Sequence, residues 1–528
     1  MIKGTALALL LIVSSFSLSA MERFEQLGWI KPGSELESLI QYPHLLERVY
    51  QENNDQLIWF DNQVSNQFEY QLDVIRRAGF SPLFIRQLNQ MQAYRERNSM
   101  FEYDLLATDT LLLYLSYAEQ APKIGMAWFF ESKLNQLLAP PSQDALFALH
   151  VAVEVQGIID LLNLYTPKNP TYDQLLHAYD FLLSTEKAEV SLYQQRGLKK
   201  LGDKLSHRFA LIERLSLVNI DVTSVRDNVT WYDNSLVKPV KEFQTMHGLQ
   251  ADGIIGPETI KWLNFSLSDR LSMLALNAER MHLWPEANDT LIVVNVPSFD
   301  MRYWHLGQEV FQSKVVVGRS SRKTPLMITK LDSLILNPTW NVPYKIMVED
   351  ILPMVKKDSS YLARHNIDIV SSWRSEELID PNSINWATVN PAAFPYRMRQ
   401  QAGQSNALGL YKFNTPNRRA IYLHDTPNRR AIYLHDTPSK SLFNNPSRAF
   451  SSGCVRVQNA DKFASMLLET QGISEKQLVD KDGLTNAAIP LKKRIPVHII
   501  YQTVWYEGGE LHYRDDIYHY DTFSYRNG

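Results

Sequence analysis

The sequence predicts a multidomain α+β protein. A helical N-terminal scaffold is followed by a small helical unit and then by a mainly β domain carrying a helical or irregular insertion. Three observations predict this. The chain has 528 residues, more than one core usually organises, so two to four domains are expected. Apolar residues recur at helical spacing over residues 22–200, where Gly is sparse. Beyond residue 290 the texture changes to short Val- and Ile-rich runs separated by Gly and Pro, the pattern of strands.

The elements follow in chain order. Lys3, the apolar run Ala6–Val13 and a Ser-rich stretch ending at Ser19-Ala20 have the layout of a secretory signal peptide over residues 1–20. The run is short of the roughly 20 residues that span a bilayer. An exported mature chain starting near Met21 is therefore expected, with an uncleaved anchor as the alternative and no later membrane span. Residues 21–197 read as a helical domain. In Asp104–Ala118 the residues Leu105, Leu111, Leu112, Leu115 and Ala118 recur at helical spacing, and Ala145–Leu164 reads as one amphipathic helix. Trp59, Trp128 and Phe129 are expected in its core.

Residues 198–266 form a smaller unit. Its end runs through Phe243-Gln244, a turn at Gly248, a tight Asp252-Gly253 turn and a helix opened by Pro257. Residues 267–528 make the last domain. It begins with a helix capped by Ser268, then strands at Thr290–Val296, Val310–Val317 and Ser333–Leu336. Residues 344–396 break the strand rhythm, and so long an insertion is a candidate lid. Strands return at Ala420–Asp425, Ala431–Asp436 and Val497–Trp505, with a helix at Asn459–Thr470 whose cap is Asn459.

Composition narrows the function. Apolar residues make up 45% and charged residues 21%, enough for ordinary cores, while the net charge of −3 offers no basic face for phosphates. Nucleic acid is therefore not an expected partner, and Arg418, Arg419, Arg429 and Arg430 read as a solvated loop. The chain has one cysteine, Cys454, so no intrachain disulfide is possible. A lone thiol in an exported protein is either a buried small hydrophobe or a working nucleophile.

The neighbours of Cys454 decide between these. The segment Ser451-Ser452-Gly453-Cys454-Val455-Arg456 follows Tyr433-Leu434-His435-Asp436-Thr437-Pro438, with His435 nineteen residues before the cysteine. Together these resemble the catalytic motif of the L,D-transpeptidase (YkuD-type) family. Asn406-Ala407-Leu408-Gly409 with Lys412-Phe413, the run Asn337–Pro343 with Trp340, and the tail Asp515–Tyr518 are also similar to that catalytic domain. The unit at 198–266 resembles a three-helix peptidoglycan-binding domain. The likeness is to large, multidomain, periplasmic members.

The resemblance implies a cysteine acyltransferase. A free thiol with a pKa of about 8.5 is mostly protonated at neutral pH and needs a base. Cys454 is the implied nucleophile and His435 its base, oriented by the main-chain carbonyl of Asp436. Gly453 supplies close backbone approach and, with Cys454, N–H groups for an oxyanion. Arg456, Tyr433, Ser452, Trp340 and Asn406 are the implied substrate contacts. If the strand stays extended, Arg456 shares a face with Cys454 and can meet a substrate carboxylate or serve in a structural ion pair. The implied partners are peptidoglycan stem peptides, a tetrapeptide donor and an amine acceptor, joined as 3–3 cross-links in the periplasm during cell-wall biogenesis. No cofactor or metal is implied, and the eleven-position separation of His424 and His435 matches no usual zinc spacing.

One feature departs from the family. Residues 415–425 recur unchanged as 426–436, and Thr437-Pro438 extends the identity to thirteen positions. The chain therefore holds two candidate bases, His424 and His435. The first copy keeps the spacing to Lys412-Phe413 and the second the spacing to Cys454, and His435 is favoured because the short loop to the nucleophile sets the geometry. A Cys/His peptidoglycan hydrolase and a non-catalytic wall-binding protein spoiled by the duplication are the competing readings.

Overall fold

The computed structural model describes residues 30–131, 134, 138–186, 190–284, 290–372, 377–416, 433–480 and 483–521. The signal-peptide segment, the four loop arginines, the expected strand Ala420–Asp425 and His424 lie outside the described residues. The chain folds as two compact units. One comprises residues 1–286, 503–513 and 519–528, the other residues 287–502 and 514–518.

The first unit is helical around Met100–Glu131, whose residues Tyr103 to Ala118 are buried all round. A helix without a polar face needs partners on every side, and the carboxylates within it recruit them. Asp104 accepts the N–H groups of Ile58 and Trp59 at 2.9 and 2.8 Å. Asp109 accepts those of Gln41 and Tyr42, both at 2.8 Å, just before the helix Pro43–Glu52. Each buried carboxyl group thus satisfies backbone donors that would otherwise be orphaned. Trp59, Trp128 and Phe129 are core residues, as expected.

Two sequence readings are corrected here. Ala145–Leu164 is two helices, Gln143–Glu154 and Ile158–Tyr165, because Gln156 takes a left-handed turn before Gly157. The helix Leu267–Arg280 is capped by Ser266, not Ser268; the Ser266 hydroxyl accepts from Asp269 N–H at 3.0 Å. That helix lies in the first unit, as does a hairpin of Val504–Glu507 with Glu510–Tyr513. In the peptidoglycan-binding-like segment, buried Gln244 staples the Asp252-Gly253 turn. Its Oε1 accepts Gly253 N–H at 2.8 Å and its amide donates to Ile254 O at 2.9 Å.

The second unit is mainly β. Its strands are β1 (Leu291–Asn295), β2 (Asp300–His305), β3 (Gln308–Gly318), β4 (Met327–Leu336), β5 (Trp340–Asn341), β6 (Ile367–Val370), β7 (Leu378–Ile379), β8 (Arg397–Gln400), β9 (Tyr411–Asn414), β10 (Leu434–His435), β11 (Ala449–Ser451), β12 (Val455–Val457) and β13 (Ala487–Ile500). Among the described residues nine of them form one sheet in the order β11-β3-β12-β10-β9-β4-β13-β1-β2, and the pairing of β2 with the first part of β3 closes that order on itself. The expected strand Val497–Trp505 is split, because Tyr501–Thr503 separates β13 from the hairpin of the other unit.

The insertion is more ordered than its sequence suggests. Short helical segments pack with a four-stranded sheet, β5-β8-β6-β7, around Val342, Leu352, Ile369 and Met398. Among the described residues no helix is long and apolar enough to cross a membrane.

Candidate active site

Two rows of side chains run across the middle of the large sheet. Leu334, Phe413, Leu434 and Val455 lie in register on β4, β9, β10 and β12, and all four are fully buried. The helix Ala460–Thr470 packs here, with the Phe463 ring 4.6 Å from that of Phe413. It starts at Asn459, whose left-handed backbone makes the turn without a side-chain cap bond. Alternation places the next row on the opposite face: Ile335, Lys412, His435 and Arg456. The apolar row therefore fixes where the polar row points.

One step back along β10 and β12, Val455 N–H donates to Tyr433 O at 3.0 Å, setting Tyr433 beside Cys454. The half-buried thiol belongs to the turn between β11 and β12. Gly453 holds φ at +119°, a conformation open to glycine. The Ser451 hydroxyl closes this turn by accepting Gly453 N–H at 3.0 Å and donating to Cys454 O at 2.6 Å. The Gly453 N–H expected to serve an oxyanion is thus bonded to Ser451, because the tight turn needs it there.

His435 is buried, and its Nδ1 lies 2.5 Å from the Asp436 carbonyl. A carbonyl only accepts, so the proton sits on Nδ1 and Nε2 keeps its lone pair. Burial pushes the imidazole down to about 3, and the positive Arg456 and Lys412 act in the same direction against the carbonyls of Asp436 and Leu408. The ring is therefore neutral near pH 7. The Asp436 carboxylate points elsewhere: it pairs with Lys440 and accepts Leu410 N–H at 3.1 Å.

Electrostatics tie the face together. Burial lowers Lys412 and Arg456, and the Cys454 charge opposes this at both. Burial and the same charge push Tyr433 up to about 12. The Lys412 ammonium stands 3.9 Å from the centre of the Tyr433 ring, a close cation–π contact.

The remaining expected residues are placed as follows. Ser452 accepts from Arg322 at 2.9 Å. Trp340 is half-buried against the core of the insertion. Asn406 is fully buried; its amide donates to Gln401 O at 2.8 Å and its oxygen accepts Leu408 N–H at 2.8 Å. Its polar atoms are engaged in shaping the 400–410 loop. His424 lies outside the described residues, and the sheet position between β9 and β12 is filled by the end of the second copy.

Two neighbours were given no role by the sequence reading. Lys412 entered it only within the Lys412-Phe413 pair of the family likeness. Arg322 had no local signal. It is almost fully buried and joins Ser452 to Asp350 and Glu349 of the insertion, at 2.8 and 2.6 Å for the latter two.

Comparison with known proteins places the chain among its relatives. The family model for the L,D-transpeptidase catalytic domain matches residues 289–480. A scaffold-domain model matches 44–178, and one described as "Putative peptidoglycan binding domain" matches 210–263. A Haemophilus influenzae protein named "Putative L,D-transpeptidase" is 30% identical over 484 residues, covering 91% of this chain and 79% of its own length. The crystal structure of an L,D-transpeptidase from Stackebrandtia nassauensis aligns with 59% of this chain and 97% of its own, at 13% identity and a TM-score of 0.21. One from Xylanimonas cellulosilytica aligns with 58% and 99%, at 12% and 0.16. Both likenesses are too slight to carry weight.

Proposed function

We propose, for a chain that belongs to the L,D-transpeptidase family, that it forms 3–3 cross-links between peptidoglycan stems through a thioester at Cys454. The observation that carries this reading is the register of β10 with β12. It sets His435 and Cys454 on one face, with the His435 proton directed to a backbone carbonyl and Nε2 left to act.

The chemistry follows from that tautomer. His435 Nε2 takes the thiol proton as Sγ attacks the carbonyl between the third residue and the terminal D-alanine of a tetrapeptide. The proton passes to the departing amine, D-alanine leaves, and a thioester remains. An amine on a second stem gives its proton to Nε2, attacks the thioester and restores the thiol. Residues 344–396 act as a lid over the donor, held near the nucleophile turn by Arg322. The protein works in the periplasm, exported by its first twenty residues, and the segment 198–266 holds the wall.

The test is mass spectrometry of purified protein incubated with disaccharide-tetrapeptide. Loss of D-alanine, an adduct on Cys454 and cross-linked dimers are expected. Tripeptide without dimers assigns a hydrolase instead, and no adduct with retained wall binding defeats the catalytic reading.

A further inference from the structure

The first unit holds a cleft of about 480 Å³ walled by three separate stretches of chain. One wall is a face of the helix Pro170–Thr185, where Gln174, His177, Ala178 and Phe181 recur at helical spacing. A second comes from the peptidoglycan-binding-like segment, through Ile220, Asp221, Glu242 and Met246. The third is the hairpin of Val504–Glu507 with Glu510–Tyr513, whose Tyr506, Leu511 and Tyr513 share one face by register. Tyr513 fixes the hairpin there. It is buried, its ring stacks on His247 with centres 5.2 Å apart, and the Arg270 guanidinium lies 5.1 Å from it. A preformed cleft of this volume is the size that holds a ligand.

Its chemistry is mixed. Glu242 and Glu510 line both this cleft and an adjoining one, whose lining also includes Lys238 and Lys241. Glu242 and Lys238 form a solvent-exposed pair at 3.5 Å, which exchanges readily for a ligand charge. Phe181, 37% exposed, and Tyr506, whose hydroxyl donates to Gly509 O at 2.9 Å, add aromatic surface. A ligand that satisfies all of this carries an amine for the acids, a carboxylate for the lysines and apolar groups for the rings. A stem peptide has all three: the acceptor amine, the terminal carboxylate and alanine methyls. A neutral glycan strand would leave the charges unmatched.

We propose that this composite cleft, rather than the segment 198–266 alone, grips the wall, and that it reads the zwitterionic stem peptide. The amine lies at Glu242 and Glu510, the carboxylate at Lys241, and the apolar groups on Phe181 and Tyr506. This rests on the reading of that segment as the part that holds the wall. The hairpin and the scaffold helix thereby become parts of the binding site.

The experiment is co-sedimentation of the full-length protein, carrying Cys454→Ala so that no cross-link forms, with insoluble peptidoglycan sacculi. Three forms of the wall are compared: intact, with stem amines acetylated, and with stems removed by an amidase. Intact sacculi are expected to bind about tenfold more tightly than either modified form, the size of one lost charged contact. Phe181→Ala and Glu510→Lys should each weaken binding to intact sacculi about tenfold, and Glu510→Lys should no longer distinguish acetylated from intact wall. Trp231→Ala, which alters a different cavity of the same segment, should bind as the parent does. With Cys454 restored, both cleft variants should acylate a soluble tetrapeptide at the wild-type rate.

Equal binding of intact and stem-free sacculi overturns the proposal. So does undiminished binding by both Phe181→Ala and Glu510→Lys, and a loss confined to Trp231→Ala moves the site to that other cavity. If the parent protein binds no form of the wall, the failure belongs to the reading of 198–266 itself, and the cleft falls with it.

Discussion

Replacing Gly409 by alanine probes how the base is held. Gly409 has φ +63°, and a Cβ built there stands 2.4, 2.5 and 2.6 Å from Oδ2, Cγ and Cβ of Asp436. Rotating the carboxylate does not relieve a contact with Cβ, so the Asp436 backbone must shift. The left-handed conformation costs a non-glycine residue about 1–2 kcal/mol. Losing the Leu410 N–H bond to the displaced carboxylate adds about 1 kcal/mol, so Gly409→Ala should destabilise the second unit by about 2–3 kcal/mol. The same shift moves the carbonyl that orients His435. Displacements near 1 Å at such a site cost on the order of a hundredfold in rate. Urea unfolding measures the first effect, and the rate of thioester formation at Cys454 by mass spectrometry measures the second. Gly403→Ala is the control: its φ is +135° with open space around the new methyl, so backbone strain should appear without a change in acylation. A Gly409→Ala protein within 0.5 kcal/mol of wild type and acylating at the wild-type rate would refute the reasoning.

Further predictions concern the base, the insertion and the helical unit. His435→Ala should slow acylation about 10²–10⁴-fold while His424→Ala leaves it near wild type; the reverse outcome transfers the role to the first copy. Because burial holds His435 at about 3, the acid limb of kcat/KM should lie below pH 5 rather than near 6.5, which a pH–rate profile decides. Arg322→Met removes the bonds to Ser452, Asp350 and Glu349. Both carboxylates are about two-fifths exposed (37% and 43%) and can return to water, so the cost should be only about 1–2 kcal/mol by urea unfolding. Asp109 is raised to about 7 by burial. The folded chain therefore keeps a proton that the unfolded chain loses near pH 4, and this carboxyl's contribution to stability falls as pH rises from about 4 to 7. Asp109→Asn should flatten that part of the thermal stability curve, and an unchanged slope would place the titration elsewhere.

Local pattern made much of this molecule legible. The apolar residues of Asp104–Ala118 and of the Val- and Ile-rich runs at β1, β3 and β4 announced their elements through local composition and spacing. Failures came where two local choices were equally consistent. Ser266 and Ser268 both suit a helix start, and the acceptor three residues on, Asp269, selects the first. Apolar spacing continues through Val155–Ile158, yet the left-handed Gln156 ends one helix there.

By itself the sequence singled out the candidate nucleophile, because Ser451–Arg456 is a contiguous turn-and-strand whose chemistry depends on neighbours in the chain. It also determined that Asp436 would present a carbonyl next to His435. Only the tertiary structure decided what surrounds them. Lys412, His435 and Arg456 come from three strands and meet through hydrogen-bond register, which a period-2 pattern cannot specify between strands. Arg322 reaches Ser452 across 130 residues of chain, and the Gly453 N–H is engaged by Ser451 through the curvature of one turn. Side-chain identity supplies the reacting groups, while strand pairing decides which charges face them, and those charges set the chemistry of the thiol and the imidazole.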